Sequence, residues 1–507
     1  MAKLIVCLFF LVLLSSCGRL HSETEPTETP VYEYFAYYPE EQTTYEEPED
    51  ILVNPVFLYN TYFVSLEIDT EERIVYGFLR VVFANRTGGP LETVVVRTFL
   101  NAFSEGYTPR PFFAEHEHRV FRSEESFGFL HIQYVSVDNE TIPYIHDGTV
   151  LTLYLDTPME AGSAVQITLQ FYAAIPRIAH LTGSNDYAMW FGMFLPMIAV
   201  FGEDGWHTEE FFPAGSPFIL ETASFYVDVV TPTRYTVVGT GLRTEEIIED
   251  TDVKITTFAA HQVRDFAFAL SSYFNHARIT TESGVDIHFY YFTIGILADE
   301  VLQNAKMGME HFEERIGMFP FQHITIIETD ISLEHASLSQ VVFIDTIPIR
   351  QNIWNGLLHA TGNQWLKNII GTNRILYPWL SEGLTRFVSA SLLYDSSLEF
   401  GEFILRQHES ISPYDNLYLT SPLGDFGTWR HYAFTHGRKA MLMVYALYNR
   451  MGADVFWDFL NEYYLTFSFG MTSGQGFFRL AEEVYGESLE DFVTLWFGSG
   501  TVPRLNY

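Results

Sequence analysis

The chain has 507 residues, of which 48% are hydrophobic and 16% are aromatic. Because this length exceeds what one small hydrophobic core can organise, two folded domains are expected. The formal net charge is −36, from 64 acidic and 28 basic residues. This balance argues against a broad basic face, so nucleic acid is not expected as a partner and acidic peptides would be repelled.

The first residues predict an export signal. Lys3 precedes an apolar run, Leu4 to Leu14, that is too short to span a bilayer. The Leu-Ser-Ser-Cys tetrad that ends at Cys17 resembles a bacterial lipobox, which implies cleavage before Cys17 and a lipid on its thiol. The alternative is an ordinary secretory signal with an incidental cysteine. We predict a signal peptide over residues 1–17 and an extracytoplasmic, membrane-anchored bacterial lipoprotein.

The rest of the N-terminal region is predicted to be a spacer. The two cysteines of the chain are Cys7 and Cys17, so the folded body contains no thiol for a disulfide or a nucleophile. Residues 18–54 are rich in Glu, Thr, Pro and Tyr. Because repeated Pro and like charges oppose a packed core, this segment is predicted to be an acidic tether between membrane and folded body.

Residues 55–282 have the pattern of a β domain. Short runs of alternating or β-branched residues are separated by turn residues, as in Asn85 to Pro90. The predicted strands are 61–69, 73–84, 93–100, 129–137, 149–155, 164–172, 222–231, 235–238, 253–258 and 265–272. Many short strands punctuated in this way predict an antiparallel saddle or sandwich.

Residues 283–507 are predicted to be mostly helical. Two further strands are predicted at 285–292 and 323–328. Apolar residues at helical spacing then predict helices over 297–316, 352–370, 381–393, 438–448, 453–463, 476–485 and 489–497. The predicted fold class is therefore α+β multidomain, with the β domain first and the helical domain second.

The stretch around His359 carries the strongest chemical signal. His359 and Asn363 are four residues apart in a predicted helix, so they face the same way. Glu382 follows after eighteen intervening residues, 364–381, on the next predicted helix. A zinc hydrolase of this layout places two His at i and i+4, a Glu beside the first as general base, and a third ligand on a second helix.

With these positions, residues 55–507 resemble the aminopeptidase N-type gluzincin zinc metallopeptidases. The supporting motifs are Gln364-Trp365, Pro378 to Leu384, Gly205 to His207, Asp228 to Pro232, Val263 to Phe266 and Gly317 to Phe321. The resemblance implies an N-terminal β saddle, a thermolysin-like catalytic domain and a zinc cofactor.

The reactive positions depart from that family. Where the family has H-E-x-x-H, the resemblance places Ala360 at the general-base position and Asn363 at the second metal-ligand position. His359 and Glu382 remain as metal ligands. Alanine cannot accept a proton, and an amide is a poor replacement for imidazole on zinc, so we expect zinc to be absent or weakly bound. Without a metal, Glu382 is expected to be held by His359 or another donor.

According to the same resemblance, two substrate-binding positions also lack the residues that the family has there. The amine-anchoring Glu of the family's G-A-M-E-N or G-G-M-E-Y-P segment aligns with Ser337, and Glu334 lies three residues too early. The Tyr that donates to the oxyanion aligns with Phe434, with Tyr432 as the alternative equivalent. Loss of one oxyanion donor typically reduces the rate about a hundredfold to a thousandfold.

The sequence therefore predicts a catalytically inactive pseudopeptidase that binds peptides or an extracellular protein. The alternative is an active zinc peptidase with an altered centre around His359 and Glu382. Its third ligand would be His335 or His436. The aromatic run Tyr187 to Phe194 is predicted to pack between the domains, with a peptide-binding lip as the alternative.

Overall fold

The computed structural model describes residues 59–121, 126–248, 251–293, 298–332, 335–345, 353–394 and 397–505. The predicted signal peptide and tether, residues 1–17 and 18–54, lie outside the described residues, as does Glu334. Within the described ranges, no helix combines the length and the apolar character needed to cross a membrane.

The first half of the described chain is built from β-strands. Strands β1 to β18 occupy Asn60–Asp69, Ile74–Ala84, Leu91–Arg97, Phe129–Val137, Glu140–Thr141, Tyr144–Asp147, Val150–Met159, Ala164–Ala174, Thr182–Ser184, Ala188–Phe191, Met197–Ile198, Phe201–Gly202, Gly205–Trp206, Ala223–Pro232, Thr236–Gly239, Leu242–Ile247, Val253–Val263 and Phe268–Ser271. Burial alternates residue by residue along β1, which is the pattern of a strand with one face on the core. The predicted β-rich first domain is thereby confirmed.

The largest sheet has eight strands in the order β16-β17-β14-β1-β2-β8-β4-β5. Its neighbouring strands are antiparallel, as predicted, except that β1 and β14 run parallel. A parallel pair requires a long connection, and here all the strands from β2 to β13 lie between the two partners in sequence. Two four-stranded sheets, β15-β18-β10-β9 and β11-β3-β7-β6, complete most of this domain.

The aromatic run that includes β10 is mostly internal. Trp190, Phe191 and Phe194 are fully buried, whereas Tyr187 is 54% exposed. The Phe191 ring stacks on Phe268 of β18, with 4.2 Å between the ring centroids. Packing, the first of the two predicted roles, therefore describes most of this run.

A five-stranded sheet begins at Asn275, ahead of the predicted boundary at residue 283. Its strands β19 to β23 occupy Asn275–Thr280, Asp286–Tyr291, His323–Glu328, His335–Leu338 and Val341–Ile344. Their order is β19-β20-β21-β23-β22, so β22 forms one edge and pairs with β23 in antiparallel orientation. A further short pair, Gly371–Thr372 with Met471–Thr472, forms β24 and β25.

Helices dominate after this sheet. Helices α1 to α10 occupy Glu117–Val120, Ala298–Arg315, Ile353–Asn363, Pro378–Leu393, Ser397–Ile411, Trp429–Tyr432, Ala440–Met451, Ala453–Phe467, Gly474–Tyr485 and Glu490–Phe497. Two π-helical segments, Gln364–Ile369 and Ala433–Lys439, follow α3 and α6 directly. Short 3₁₀ turns lie at Phe99–Phe103, Ala114–His116 and Leu423–Asp425. The predicted helical second region is confirmed.

Two differences from the predicted helices concern the region of the site. The predicted helix 352–370 divides into α3 and the first π-helical segment. Helix α5 was missed, although its apolar residues Phe400, Ile404 and Ile411 recur at helical spacing and pack on the core.

Two large hydrophobic cores support the two regions, and a smaller third cluster includes Tyr432. The first includes Leu66, Val75 and Leu169 of the large sheet. The second includes Phe312 of α2 and Trp365 beside α3, which are both fully buried. The second core holds α3 and α4 against the five-stranded sheet, which brings together the residues of the site.

Candidate functional site

Helix α3 provides the first part of the site. His359 and Asn363 lie one turn apart on this helix and are both buried, and Ala360 is fully buried. Gly362 permits close packing on α2, because a Cβ at this position would lie 2.1 Å from the Phe312 ring. This packing fixes the direction in which His359 projects.

Helix α4 provides Glu382 and begins at Pro378, a residue that suits the first helical turn. His359 Nε2 lies 3.5 Å from Glu382 Oε2, and Arg386 Nη2 lies 3.6 Å from the same oxygen. Burial raises the pKa of Glu382, but His359, Arg386 and Lys367 outweigh burial and hold that pKa well below its usual range. Glu382 is therefore an ionised carboxylate beside His359, the partner predicted for it.

The other ring nitrogen of His359 meets two polar side chains. Asn363 Nδ2 donates to His359 Nδ1 at 3.3 Å, and His335 Nε2 of strand β22 lies 3.3 Å from the same atom. An amide nitrogen can only donate, so neutral His359 carries its proton on Nε2, towards Glu382. Burial lowers the pKa of His359 and lowers that of His335 further. Both rings are therefore neutral imidazoles at neutral pH.

Zinc is the metal that the resemblance implies, and the described residues do not fit a catalytic zinc centre. His359 Nε2 and Glu382 Oε2 could share one ion, since two ligands of a tetrahedral zinc lie about 3.4 Å apart. Asn363 turns its amide oxygen to the Thr385 hydroxyl, which donates to it at 3.1 Å. A zinc-bound histidine normally donates from its second nitrogen, whereas His359 Nδ1 accepts from Asn363.

His335 does not complete the metal centre in this arrangement. It approaches Nδ1 of His359, on the opposite side of the ring from Glu382. Among the described residues, no group of three His, Cys, Asp or Glu is placed to hold a metal ion. His335 Nδ1 and His359 Nε2 are nevertheless buried without a hydrogen-bond partner in the described part of the chain.

Ser337, at the predicted amine-anchor position, links the edge strand to α3. Its hydroxyl donates to the Ala360 carbonyl at 2.9 Å and accepts from Gln364 Nε2 at 2.9 Å. Asn368 Nδ2 lies 3.3 Å from the same hydroxyl oxygen. Gln364 also accepts from the backbone N–H of Gln340, at 3.0 Å. Ser337 is thus an internal hydrogen-bonding residue in place of a carboxylate.

Two residues were predicted as alternatives for the oxyanion position, and the structure places them in different surroundings. Tyr432 is buried, and its pKa is raised well above the usual range by burial and by the charge of Glu382. Phe434 packs instead against Tyr414, with ring centroids 5.0 Å apart. Tyr432 is therefore the residue that shares the environment of Glu382.

His436, the other predicted alternative for a third metal ligand, has a packing role. Its Nε2 donates to the Ser421 carbonyl at 3.0 Å. The ring lies 5.0 Å from that of Phe426 and 5.6 Å from that of Tyr432, measured between centroids. Burial lowers the pKa of His436 to about 3, so the ring remains neutral.

Sequence reasoning missed the basic residues of the site. Lys367 follows Asn363 by four residues, and burial together with the charge of Arg374 lowers its pKa to about 8. Arg374 is buried, which lowers its pKa to about 10. The interval of four residues from His359 to Asn363 and from Asn363 to Lys367 could have indicated that the lysine lies close to the site. Arg374 follows the short strand β24, so no helical spacing connects it with the site.

The fold corresponds to that of solved two-domain zinc metallopeptidases. No family sequence profile and no curated protein sequence matches the chain, but solved structures do.

The fold is that of the M1 zinc metallopeptidases. A mutant of the M1 zinc metallopeptidase from Deinococcus radiodurans matches with a TM-score of 0.66 at 14% identity, over 89% of this chain and 95% of that chain. A mutant of that enzyme bound to a Tyr-Ser-Ala substrate gives a TM-score of 0.66 over 88% of this chain and 95% of that chain, also at 14% identity. A two-domain M1 mutant bound to L-tryptophan gives 0.64 at 15% identity, over 88% and 95%. This likeness confirms the M1-type fold at the level of a β-rich first domain followed by a helical region.

Proposed function

We propose that this chain is a pseudopeptidase, which keeps an M1-type fold with a thermolysin-like second domain and binds peptides without hydrolysing them. Ala360 at the general-base position carries this proposal. Its methyl group cannot take a proton from an attacking water, and positioned acid–base catalysis is typically worth about a hundredfold to ten-thousandfold.

The neighbouring substitutions support the same conclusion. Asn363 bonds to Thr385 and His359, and Ser337 bonds to Ala360 and Gln364. The two polar side chains at vacated catalytic positions therefore have hydrogen-bond partners within the protein. Such an arrangement stabilises the fold of the site while it removes the groups that peptide hydrolysis needs.

Metal content and turnover test the proposal together. Purified protein is analysed for zinc and assayed with aminoacyl-anilide substrates, beside His359→Ala and a matched control, His261→Ala, at an exposed position of β17. We expect well below one zinc per chain and equal background rates for all three proteins. Stoichiometric zinc, with turnover that only His359→Ala abolishes, would overturn the pseudopeptidase function. Binding of unlabelled peptides, measured by calorimetry, tests the retained ligand site.

A second candidate function is that of an active hydrolase with an altered metal centre. It is favoured by the two buried nitrogens without hydrogen-bond partners among the described residues, His335 Nδ1 and His359 Nε2. A rotation of the His335 side chain would be required to bring its ring to the Glu382 side of His359. This function predicts stoichiometric zinc that His335→Ala removes, so the same metal analysis separates the two candidates.

We also propose that the protein is held outside the cytoplasm by a lipid on Cys17, with residues 18–54 as the spacer. The lipobox-like tetrad supports this proposal. Expression of Cys17→Ser should move the protein from the membrane fraction to the soluble fraction, whereas Cys7→Ser should leave it in the membrane fraction. An unchanged distribution of Cys17→Ser would favour the ordinary secretory signal.

A further inference from the structure

Five basic residues lie in and around the site, from buried Arg374 to exposed Arg430, and successive members share a carboxylate, a ring or a charge interaction. In order from inside to outside, this basic row consists of Arg374, Lys367, Arg386, Arg438 and Arg430. The chain as a whole has 28 basic against 64 acidic residues, so a local concentration of positive charge is unusual for it. Its position at the site suggests a role in ligand recognition.

The inner part of the row is only partly neutralised. Glu382 and Asp265 are the carboxylates that act on both Lys367 and Arg374, but Glu382 is shared with Arg386 and Asp265 with Arg264. Arg374 Nη1 donates to Ser216 at 3.0 Å, but its buried Nε has no hydrogen-bond partner among the described residues. Within the same described ranges, the Lys367 ammonium group forms no hydrogen bond. This half-buried group can therefore still donate to an anionic ligand.

The outer part of the row connects the site with solvent. The side chain of Arg386 is 38% exposed and reaches Glu382 at 3.6 Å. The guanidinium groups of Arg438 and Arg430 lie 4.7 Å and 5.1 Å from the centre of the Phe434 ring. Burial lowers the pKa of Arg438, and the charges of Arg386 and Arg430 lower it further. The three arginines thus act as one positive surface that leads inward.

We propose that this site binds acidic peptides, whose carboxylates contact the basic row. The inference rests on the proposed peptide-binding function and names the ligand class for it. Ser337 supports it, because the position that would carry a negative amine anchor is neutral here. The net charge of the whole chain opposes the approach of such peptides, but that field is screened over about 8 Å at physiological salt. Contacts within the site are shorter than this distance.

Fluorescence anisotropy with three labelled peptides tests the ligand class. The peptides share one length and differ in a central run of three Glu, three Gln or three Lys. We expect the Glu peptide to bind at least about tenfold more tightly than the Gln peptide, and the Lys peptide to bind most weakly. The affinity for the Glu peptide should fall as sodium chloride is raised from 50 to 300 mM, while that for the Gln peptide stays constant.

Charge-removing variants locate the contact. Lys367→Gln and Arg386→Gln should each weaken binding of the Glu peptide about tenfold and change binding of the Gln peptide less than twofold. Arg234→Gln is the matched control, because Arg234 is an exposed arginine in the first domain and its loss changes the net charge equally. If Lys367→Gln fails to fold, Arg386→Gln provides the test, because Arg386 is more exposed.

The possible outcomes distinguish the preference for acidic peptides from peptide binding itself. Equal affinity for the Glu and Gln peptides, or an equal effect of Arg234→Gln, overturns the acidic ligand class and leaves peptide binding in place. Failure of all three peptides to bind overturns the proposed function itself. Tighter binding of inorganic polyphosphate than of the Glu peptide, with the same sensitivity to Arg386→Gln, replaces the peptide by another polyanion and also overturns the inference.

Discussion

His359 Nε2 lies 3.5 Å from Glu382 Oε2, between helices α3 and α4. This separation is close to that of two ligand atoms on one tetrahedral zinc ion, about 3.4 Å. Arg386 Nη2 lies 3.6 Å from the same oxygen and helps to hold the pKa of Glu382 well below its usual range, so the carboxylate is ionised. Two of the three ligand positions of a zinc centre are therefore still in place.

Restoring the two missing groups of the helix motif should restore metal binding. The double variant Ala360→Glu/Asn363→His should bind about one zinc per chain, because it supplies a third ligand to the pair formed by His359 and Glu382. Peptidase activity should remain low, since Ser337 provides no carboxylate for the substrate amine. Metal analysis and an aminoacyl-anilide assay measure the two effects.

Adding His359→Ala to the double variant is the control and should remove the bound zinc. Zinc in the unmodified chain at the level of the double variant would contradict the incomplete donor set. Full peptidase activity from the two changes alone would show that the amine anchor lies elsewhere than Ser337.

Ser337→Ala should destabilise the protein by about 1–3 kcal/mol, because buried partners lose a hydrogen bond. The Ser337 hydroxyl contacts the Ala360 carbonyl and Gln364 Nε2, both at 2.9 Å. Ser163→Ala is the comparison and should change stability by less than about 0.5 kcal/mol, since among the described residues the Ser163 hydroxyl bonds only to the exposed Glu160 carbonyl. Urea denaturation measures both; equal stabilities would contradict the linking role of Ser337.

Alanine substitutions at two helical glycines should have opposite effects. At Gly362 a Cβ would lie 2.1 Å from the Phe312 ring, so Gly362→Ala should destabilise the protein by about 1–3 kcal/mol. At Gly401 of helix α5 nothing lies within 4 Å of the added Cβ, and the higher helix propensity of alanine should stabilise by about 1 kcal/mol. Thermal denaturation gives the signs. A stabilising Gly362→Ala would contradict the close packing of α3 on α2.

His180 should make the stability of the first domain depend on pH. Burial between the rings of Phe103 and Phe211 lowers its pKa to about 4, compared with about 6.5 in an unfolded chain. Because the unfolded state binds the proton more readily, this contribution to stability is present above pH 6.5 and is lost as the pH falls towards 4. His180→Phe should therefore reduce the loss of unfolding free energy between pH 6.5 and pH 4.5 by about 2 kcal/mol.

The matched control for this experiment is His118→Phe, at an exposed position of α1. Denaturation at the two pH values should show the same acid sensitivity in this control as in the unmodified chain. Equal acid sensitivity of His180→Phe and the unmodified chain would contradict the lowered pKa.

Much of the fold could be predicted from local patterns. The alternation along β1 and the apolar spacing of α2 and α8 placed strands and helices close to their observed bounds. Such patterns report burial over a few neighbouring residues. The parallel pairing of β1 with β14 depends on residues far apart in sequence, so local patterns could not predict it.

The sequence by itself determined which groups stand at the reactive positions: Ala360 beside His359, Asn363 one turn later, and Glu382 on the next helix. Helical spacing suffices for that, because it fixes which side chains share a face. Only the tertiary structure decided that His335 approaches the far nitrogen of His359, that Tyr432 rather than Phe434 shares the environment of Glu382, and that five basic residues lie in and around the site. These relationships join separate elements, and their geometry is set by the packing of the second core and by the two π-helical segments.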